Sequence, residues 1–145
     1  MTNAPDGFRH HKQLVIRYGD LDRLSHVNNA KYLTYIEYGR LSYFRDLGLW
    51  DGGTSAQGVI VAKTVVEYKL PLNMDDGTVD VWTRCSRLGG KSFDLTTLIC
   101  RSKDGAVAAN GVTTVVAYDY LAKSTIAIPD SWRVLVHDFE PGTVG

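Results

Sequence analysis

Between Arg17 and Arg40 the chain reads RYGDLDRLSHVNNAKYLTYIEYGR, and this stretch gathers the side chains best suited to chemistry. Asp20 and Asp22 stand two apart, His26 follows, and Asn28-Asn29 open a segment with helical spacing. Carboxylates and histidine are common choices for moving protons or attacking an electrophile near neutral pH. A helix N-terminus adds unpaired backbone N–H groups and a partial positive charge. That tip suits the negative charge developing on a carbonyl oxygen under attack. Asp22, on the loop just upstream, is placed to reach the same point. The chemistry implied is attack on an acyl carbonyl.

Several elements must position these groups. Gln13–Tyr18 is rich in branched and aromatic residues and predicts a first strand. A polar loop, Gly19 to His26, leads to Asn28 and Asn29 as helix caps. From Ala30 to Leu47 the apolar Leu33, Ile36, Phe44 and Leu47 keep helical spacing, flanked by Tyr32, Tyr35 and Tyr43, and Gly48 is a natural stop. Gly39 costs the helix about 1 kcal/mol relative to alanine, which implies close approach to a sheet. Four strands follow: Gly58–Leu70, ended by Pro71; Thr78–Arg87; Lys91–Arg101; and Ala106–Tyr118, after an Asp104-Gly105 turn. In the tail, Pro129-Asp130 predicts a short helical turn and the end near Gly145 is expected to be disordered.

One strand, one helix and four strands joined by hairpin-type connections imply an α+β domain with an antiparallel sheet. It is read as a single domain over 1–145 with its ordered core at about 12–133. The second face of that sheet is also apolar (Ile60, Ala62, Val66 or their alternates), which predicts a homo-oligomer through that face or an edge strand.

The Arg17–Arg40 stretch resembles the 4-hydroxybenzoyl-CoA thioesterase family of the hotdog superfamily, including its long-chain acyl-CoA thioesterases. The matching features are the strand-end arginine and aromatic, the paired aspartates, His26-Val27-Asn28-Asn29, then Tyr, Glu and Arg on the helix. The resemblance extends over about residues 12–133. It implies a hotdog fold, a five-stranded antiparallel sheet wrapped around one long central helix. It also implies hydrolysis of an acyl-CoA thioester to a free acid and coenzyme A, with no cofactor and no metal. Asp22 would be the carboxylate that activates water or attacks the carbonyl directly, and the N–H near Asn29 would polarise the thioester. His26 would orient Asp22 or water, or protonate the leaving thiolate; its alternative is to brace the loop. For Asp22 the competing reading is an Asx-turn. Asp20 is read as structural, Tyr32 as a wall of the acyl pocket, and Glu37 with Arg40 as an i, i+3 ion pair. Many relatives carry glycine where this chain has Ser25, so a different local loop shape is expected, because φ > 0 costs serine more than glycine.

Gly89-Gly90-Lys91-Ser92 looks like the end of a P-loop, but its first glycine would fall on Cys85 and a strand follows instead of a helix. It reads better as a hairpin turn. In the resembled family this region helps hold coenzyme A at the subunit interface, so Arg87, Lys91 and Ser92 are candidate phosphate contacts beside the reading as a solvated turn.

Composition narrows the rest. Sixteen Lys+Arg balance sixteen Asp+Glu, so there is no basic excess of the kind a nucleic-acid binder carries. No apolar stretch is long enough for a membrane span, and Met1 to Lys12 is polar, so no membrane partner and a cytoplasmic location are expected. Cys85 and Cys100 lack metal spacing. With a turn near Gly89, Cys85 would pair with about Phe93, far from Cys100, so both are read as reduced. The resemblance implies a donor thioester carried by coenzyme A or an acyl carrier protein, and an oligomer that is a dimer or a tetramer of paired dimers (homotetramer). Two alternatives remain. A hotdog dehydratase would use His26 and Glu37, although no proline lies between residues 19 and 57. A non-catalytic protein would bind the acyl thioester without cleaving it.

Overall fold

The computed structural model describes residues 4–54 and 56–143; the end near Gly145 lies outside them. Strand β1 (His10–Val15) is followed by a short 3-10 turn (Tyr18–Asp20) and helix α1 (Asn29–Leu47). Then come β2 (Gln57–Tyr68), a 3-10 turn (Met74–Asp76), β3 (Thr78–Leu88), β4 (Ser92–Arg101) and β5 (Val107–Asp119). A two-residue β6 (Ser124–Thr125) and helix α2 (Asp130–Phe139) complete the described chain. The strands lie in the order β1-β3-β4-β5-β2, with β6 on β5, and every pairing is antiparallel. The sheet curves around α1, as a hotdog fold does.

This order corrects the expectation of four hairpins. Only β3-β4 and β4-β5 are sequential neighbours; β1 and β2 form the opposite edges, so residues 69–77 cross from one edge to the interior. The first strand is also earlier than Gln13–Tyr18. It pairs with β3 from His10 to Val15, Ile16 N–H bonds to Gly77 O, and the chain then coils into the 3-10 turn. Cys85 pairs with Leu95 rather than Phe93, and a bulge at Ser86 brings Leu88 opposite Phe93. Cys100 pairs with Asp80, and both cysteines are free and buried. Burial, the largest influence, pushes the Cys85 thiol up to about 12. It packs as a small apolar residue.

Helix α1 starts where expected: Asn28 Oδ1 accepts from Ala30 N–H at 2.9 Å, and Gly48 ends it at φ 79°. Its buried stripe differs from the apolar spacing. Leu33 is 45% exposed, while Tyr32, Tyr35, Ile36, Gly39, Tyr43 and Phe44 face the sheet. A buried phenol needs an acceptor, and each has one. Tyr32 donates to Leu70 O (3.2 Å), Tyr35 to Asp20 Oδ2 (2.7 Å) and Tyr43 to Glu140 Oε2 (2.5 Å). Glu140 follows α2, a three-turn helix where a single turn was expected. Trp132, Leu135, Val136 and Phe139 form its apolar face, and Trp132 and Val136 are buried in the same cluster as Tyr43 and Phe44.

At Gly39, α1 packs tightly on β3. A Cβ there would lie 2.6 Å from Val81 Cγ1 and 3.0 Å from Thr83 Oγ1. Gly39→Ala gains about 1 kcal/mol of helix propensity but overpacks the helix–sheet contact by about 1–3 kcal/mol. We expect a net loss of up to about 2 kcal/mol, read as a lower urea midpoint; a raised midpoint would show that β3 yields without strain.

Candidate active site

The loop between the 3-10 turn and α1 is a small closed structure. Leu21 and Val27 form an antiparallel bridge. Asp22 N–H bonds to His26 O at 2.7 Å, and Asn28 N–H to Asp20 O at 2.9 Å. Asp20 anchors it from below. Its side chain is 2% exposed and accepts from Tyr35 and from Arg17 N–H (3.0 Å). Asp20 therefore holds the loop, as expected of it. Val27, buried at 3% exposure, bonds to Leu72 O at 2.7 Å and ties the loop to the segment after β2.

Asp22 lies at the exposed turn of this loop. Its Oδ1 accepts from Leu24 N–H (2.8 Å) and His26 N–H (3.2 Å), an Asx-turn arrangement. Its Oδ2 accepts no hydrogen bond among the described residues. The carboxylate is thus oriented through one oxygen and keeps the other available. Ser25, which forms the tight corner, takes φ 63°. The loop keeps the left-handed turn that glycine would allow, so serine bears strain instead of reshaping the loop.

At the tip of α1 the backbone donors are unequally used. Ala30 N–H is capped by Asn28 Oδ1, and Lys31 N–H bonds to Asn28 O at 2.8 Å. Asn29 N–H has no acceptor among the described residues. Asp22, His26, Val27, Asn29, Tyr32, Tyr68, Lys69, Leu70 and Pro71 line one cleft of about 260 Å³. Four candidate residues, Asp22, His26, Asn29 and Tyr32, are therefore together. Burial, the largest influence, pushes the Tyr32 hydroxyl up, so it stays a neutral donor in the cleft wall. Glu37 and Arg40 form the expected i, i+3 pair at 3.8 Å, outside the cleft lining.

Arg87, Lys91 and Ser92 are elsewhere. Their hairpin belongs with the C-terminal part of α1, where Phe93 packs on Phe44 at 6.1 Å between ring centroids. Since α1 has 19 residues, its two ends are about 28 Å apart. Arg87 is already engaged. Its Nε bonds to Asp94 Oδ2 (2.9 Å), and its Nη2 bonds to Asp94 Oδ1 (3.2 Å) and Ser92 Oγ (3.0 Å). The guanidinium holds the Asp94 carboxyl below the usual carboxylate range. Only Lys91 of the three is uncommitted by side chain among the described residues.

The sequence reading missed Tyr68, Lys69, Leu70 and Pro71. Tyr68 donates to Asn29 O at 3.1 Å and meets Tyr32 edge-on at 5.1 Å between centroids. Pro71 marks the end of the strand in the sequence, but nothing in the strand pattern says that this end lies beside the helix tip.

The sequence profile of the thioesterase-like superfamily matches residues 16–135. The chain belongs to that family. It is 26% identical over 131 residues to the long-chain acyl-CoA thioesterase FadM of Escherichia coli K12, covering 83% of this chain and 92% of that one. A Thermus thermophilus thioesterase, crystallised with coenzyme A and zinc, superposes with a TM-score of 0.82 at 29% identity, covering 94% and 98% of the two chains. A thioesterase-superfamily protein from Jannaschia sp. CCS1 superposes at 0.86 with 21% identity over 97% and 89%, a likeness of fold.

In this thioesterase-like loop, Ser25→Gly removes a left-handed strain of about 1–2 kcal/mol while raising unfolded-chain entropy by about 0.5–1 kcal/mol. We expect a net gain of up to about 1.5 kcal/mol, seen as a higher urea midpoint. A lowered midpoint would mean that the serine side chain contributes more than its backbone costs.

Proposed function

We propose that this thioester hydrolase cleaves acyl-CoA to a free carboxylic acid and coenzyme A in the Asp22–Asn29 cleft. The thioester carbonyl oxygen accepts from Asn29 N–H, where the helix dipole favours the charge that builds on it. Asp22 acts from its free Oδ2, as base on water or as the attacking group. In net terms water adds its oxygen to the acyl carbon, the C–S bond breaks, and the thiolate takes a proton, with His26 at hand to supply it. Tyr32 forms a wall of the acyl pocket. The observation that supports this reading most directly is the meeting, in one cleft, of a carboxylate and a helix-tip N–H that are respectively half-satisfied and unpartnered among the described residues.

We read the cleft as a site completed by a second subunit, because the cationic Arg87–Ser92 turn lies at the far end of α1 from it. Edge strand β2 leaves Val61 and Val65 at 48% and 51% exposure, and neighbouring Val112 at 39%. We read this edge as the homo-oligomer contact, in a dimer or a tetramer of dimers. Lys91, with Arg87 and Ser92, would meet the coenzyme A phosphates from another subunit, because within one chain the helix separates them from the cleft. None of the described helices is long and apolar enough to cross a membrane, and we place the reaction in the cytoplasm.

Asp22→Asn keeps an acceptor oxygen for the Leu24 and His26 amides but loses the charge. Turnover of acyl-CoA, followed by free-thiol release, should fall about 10²- to 10⁴-fold with folding intact; unchanged turnover would remove Asp22 from the chemistry. Sedimentation should show a dimer or tetramer at micromolar concentration, and a monomer would contradict the shared site.

A further inference from the structure

We propose that Tyr68 is a positioning residue whose hydroxyl fixes the tip of α1, with Asn29 at its first turn; its effect on turnover rests on the hydrolase reading above. Tyr68 is the last residue of β2 and pairs with Ala109 on β5. It is 45% exposed, so burial alone does not hold its ring in place. Two contacts do. Its hydroxyl donates to Asn29 O at 3.1 Å, and its ring stands edge-on to Tyr32 at 5.1 Å. Tyr32 reaches the other way, from the helix to Leu70 O at 3.2 Å.

The two bonds cross. One runs from the last residue of β2 to the helix, the other from the helix to Leu70 in the segment after β2, and together they tie the two walls of the cleft. The strand wall is itself fixed, because Lys69 N–H and Leu70 N–H both bond to Ala108 O, at 2.8 and 3.1 Å. Asn29 sits between this latch and the Asp22 loop. Its N–H is left without a partner among the described residues, while its carbonyl carries the Tyr68 bond. The hydroxyl therefore restrains, from the carbonyl side, the residue whose amide is to meet the substrate. Small displacements of a donor weaken the stabilisation of a developing charge more than they weaken ground-state binding.

Tyr68→Phe keeps the ring against Tyr32 and deletes only the hydroxyl, so it separates positioning from packing. In the full-length protein two readouts are needed. Hydrogen exchange at the Ala30 and Lys31 amides, which bond to Asn28, reports the helix tip without any substrate and should accelerate. With acyl-CoA substrate, kcat should fall about tenfold, less than the 10²-fold cost of a 1 Å misplacement, with KM within about twofold. Tyr68→Ala also removes the cleft wall and should raise KM as well. Unchanged exchange in Tyr68→Phe, or a kcat within twofold of the parent, would overturn the assignment. A parent protein that releases no thiol from acyl-CoA would count against the hydrolase reading, and the exchange rates would then decide the latch alone.

Discussion

The Asp20 carboxylate, buried at the root of the loop, is the contact on which the site geometry depends. It accepts from Tyr35 of α1 and from the Arg17 backbone just after β1, while the Asp20 backbone carbonyl accepts from Asn28 at the helix cap. A buried carboxylate without such partners would be strongly disfavoured, and hydrogen bonds to a charged group contribute about 1.5–3 kcal/mol each. Burial first, then the bond to Asp20, raises the Tyr35 hydroxyl well above its ordinary range, so it remains a donor. The loop carrying Asp22 is therefore tied to the same helix whose tip supplies the Asn29 amide. These bonds hold the loop and the helix tip in one fixed relation, which suits preorganised charge stabilisation.

The tyrosine stripe generalises this arrangement. Tyr32, Tyr35 and Tyr43 bury large rings, and each hydroxyl is directed to a different neighbour: the strand extension, the Asp20–Asn28 loop and the C-terminal region. Leucines would fill similar volume but would not specify where those segments dock. Glu140 shows the cost of the device. Burial pushes its carboxyl up despite the Tyr43 and Cys85 bonds, and its Oε1 is buried without a partner among the described residues. At the waist of the helix, Gly39 lets the backbone approach β3 between the two hydrophobic clusters, one around Tyr43 and Phe44, the other around Tyr32, Tyr35 and Ile36.

Much of this was legible in the residues. Asn28 as cap, Gly48 as stop, the role of Asp20 and the packing reason for Gly39 follow from local chemistry, which acts over a few residues. Phe93, Leu95, Thr97 and Ile99 alternate along β4 and all four are buried, a pattern visible in the residues themselves. Lateral strand order was not legible, because period-two alternation fixes a face and not a neighbour; the hairpin rule holds for β3, β4 and β5 and fails for β2. That failure hid Tyr68 and the Lys69–Pro71 wall of the cleft. The Arg87–Asp94 pairing was not legible, since Asp94 faces Arg87 only across the bulged hairpin. Helix α2 was underestimated although Trp132, Leu135, Val136 and Phe139 are helically spaced.

The most direct measurement is a crystal structure with an acyl-CoA analogue whose thioester sulfur is replaced by methylene, leaving a ketone that cannot be hydrolysed. The account predicts the ketone oxygen within hydrogen-bond distance of Asn29 N–H, with the free oxygen of Asp22 facing the carbonyl carbon directly or through one water. A carbonyl bound away from the helix tip, with Asp22 pointing out of the cleft, would contradict it.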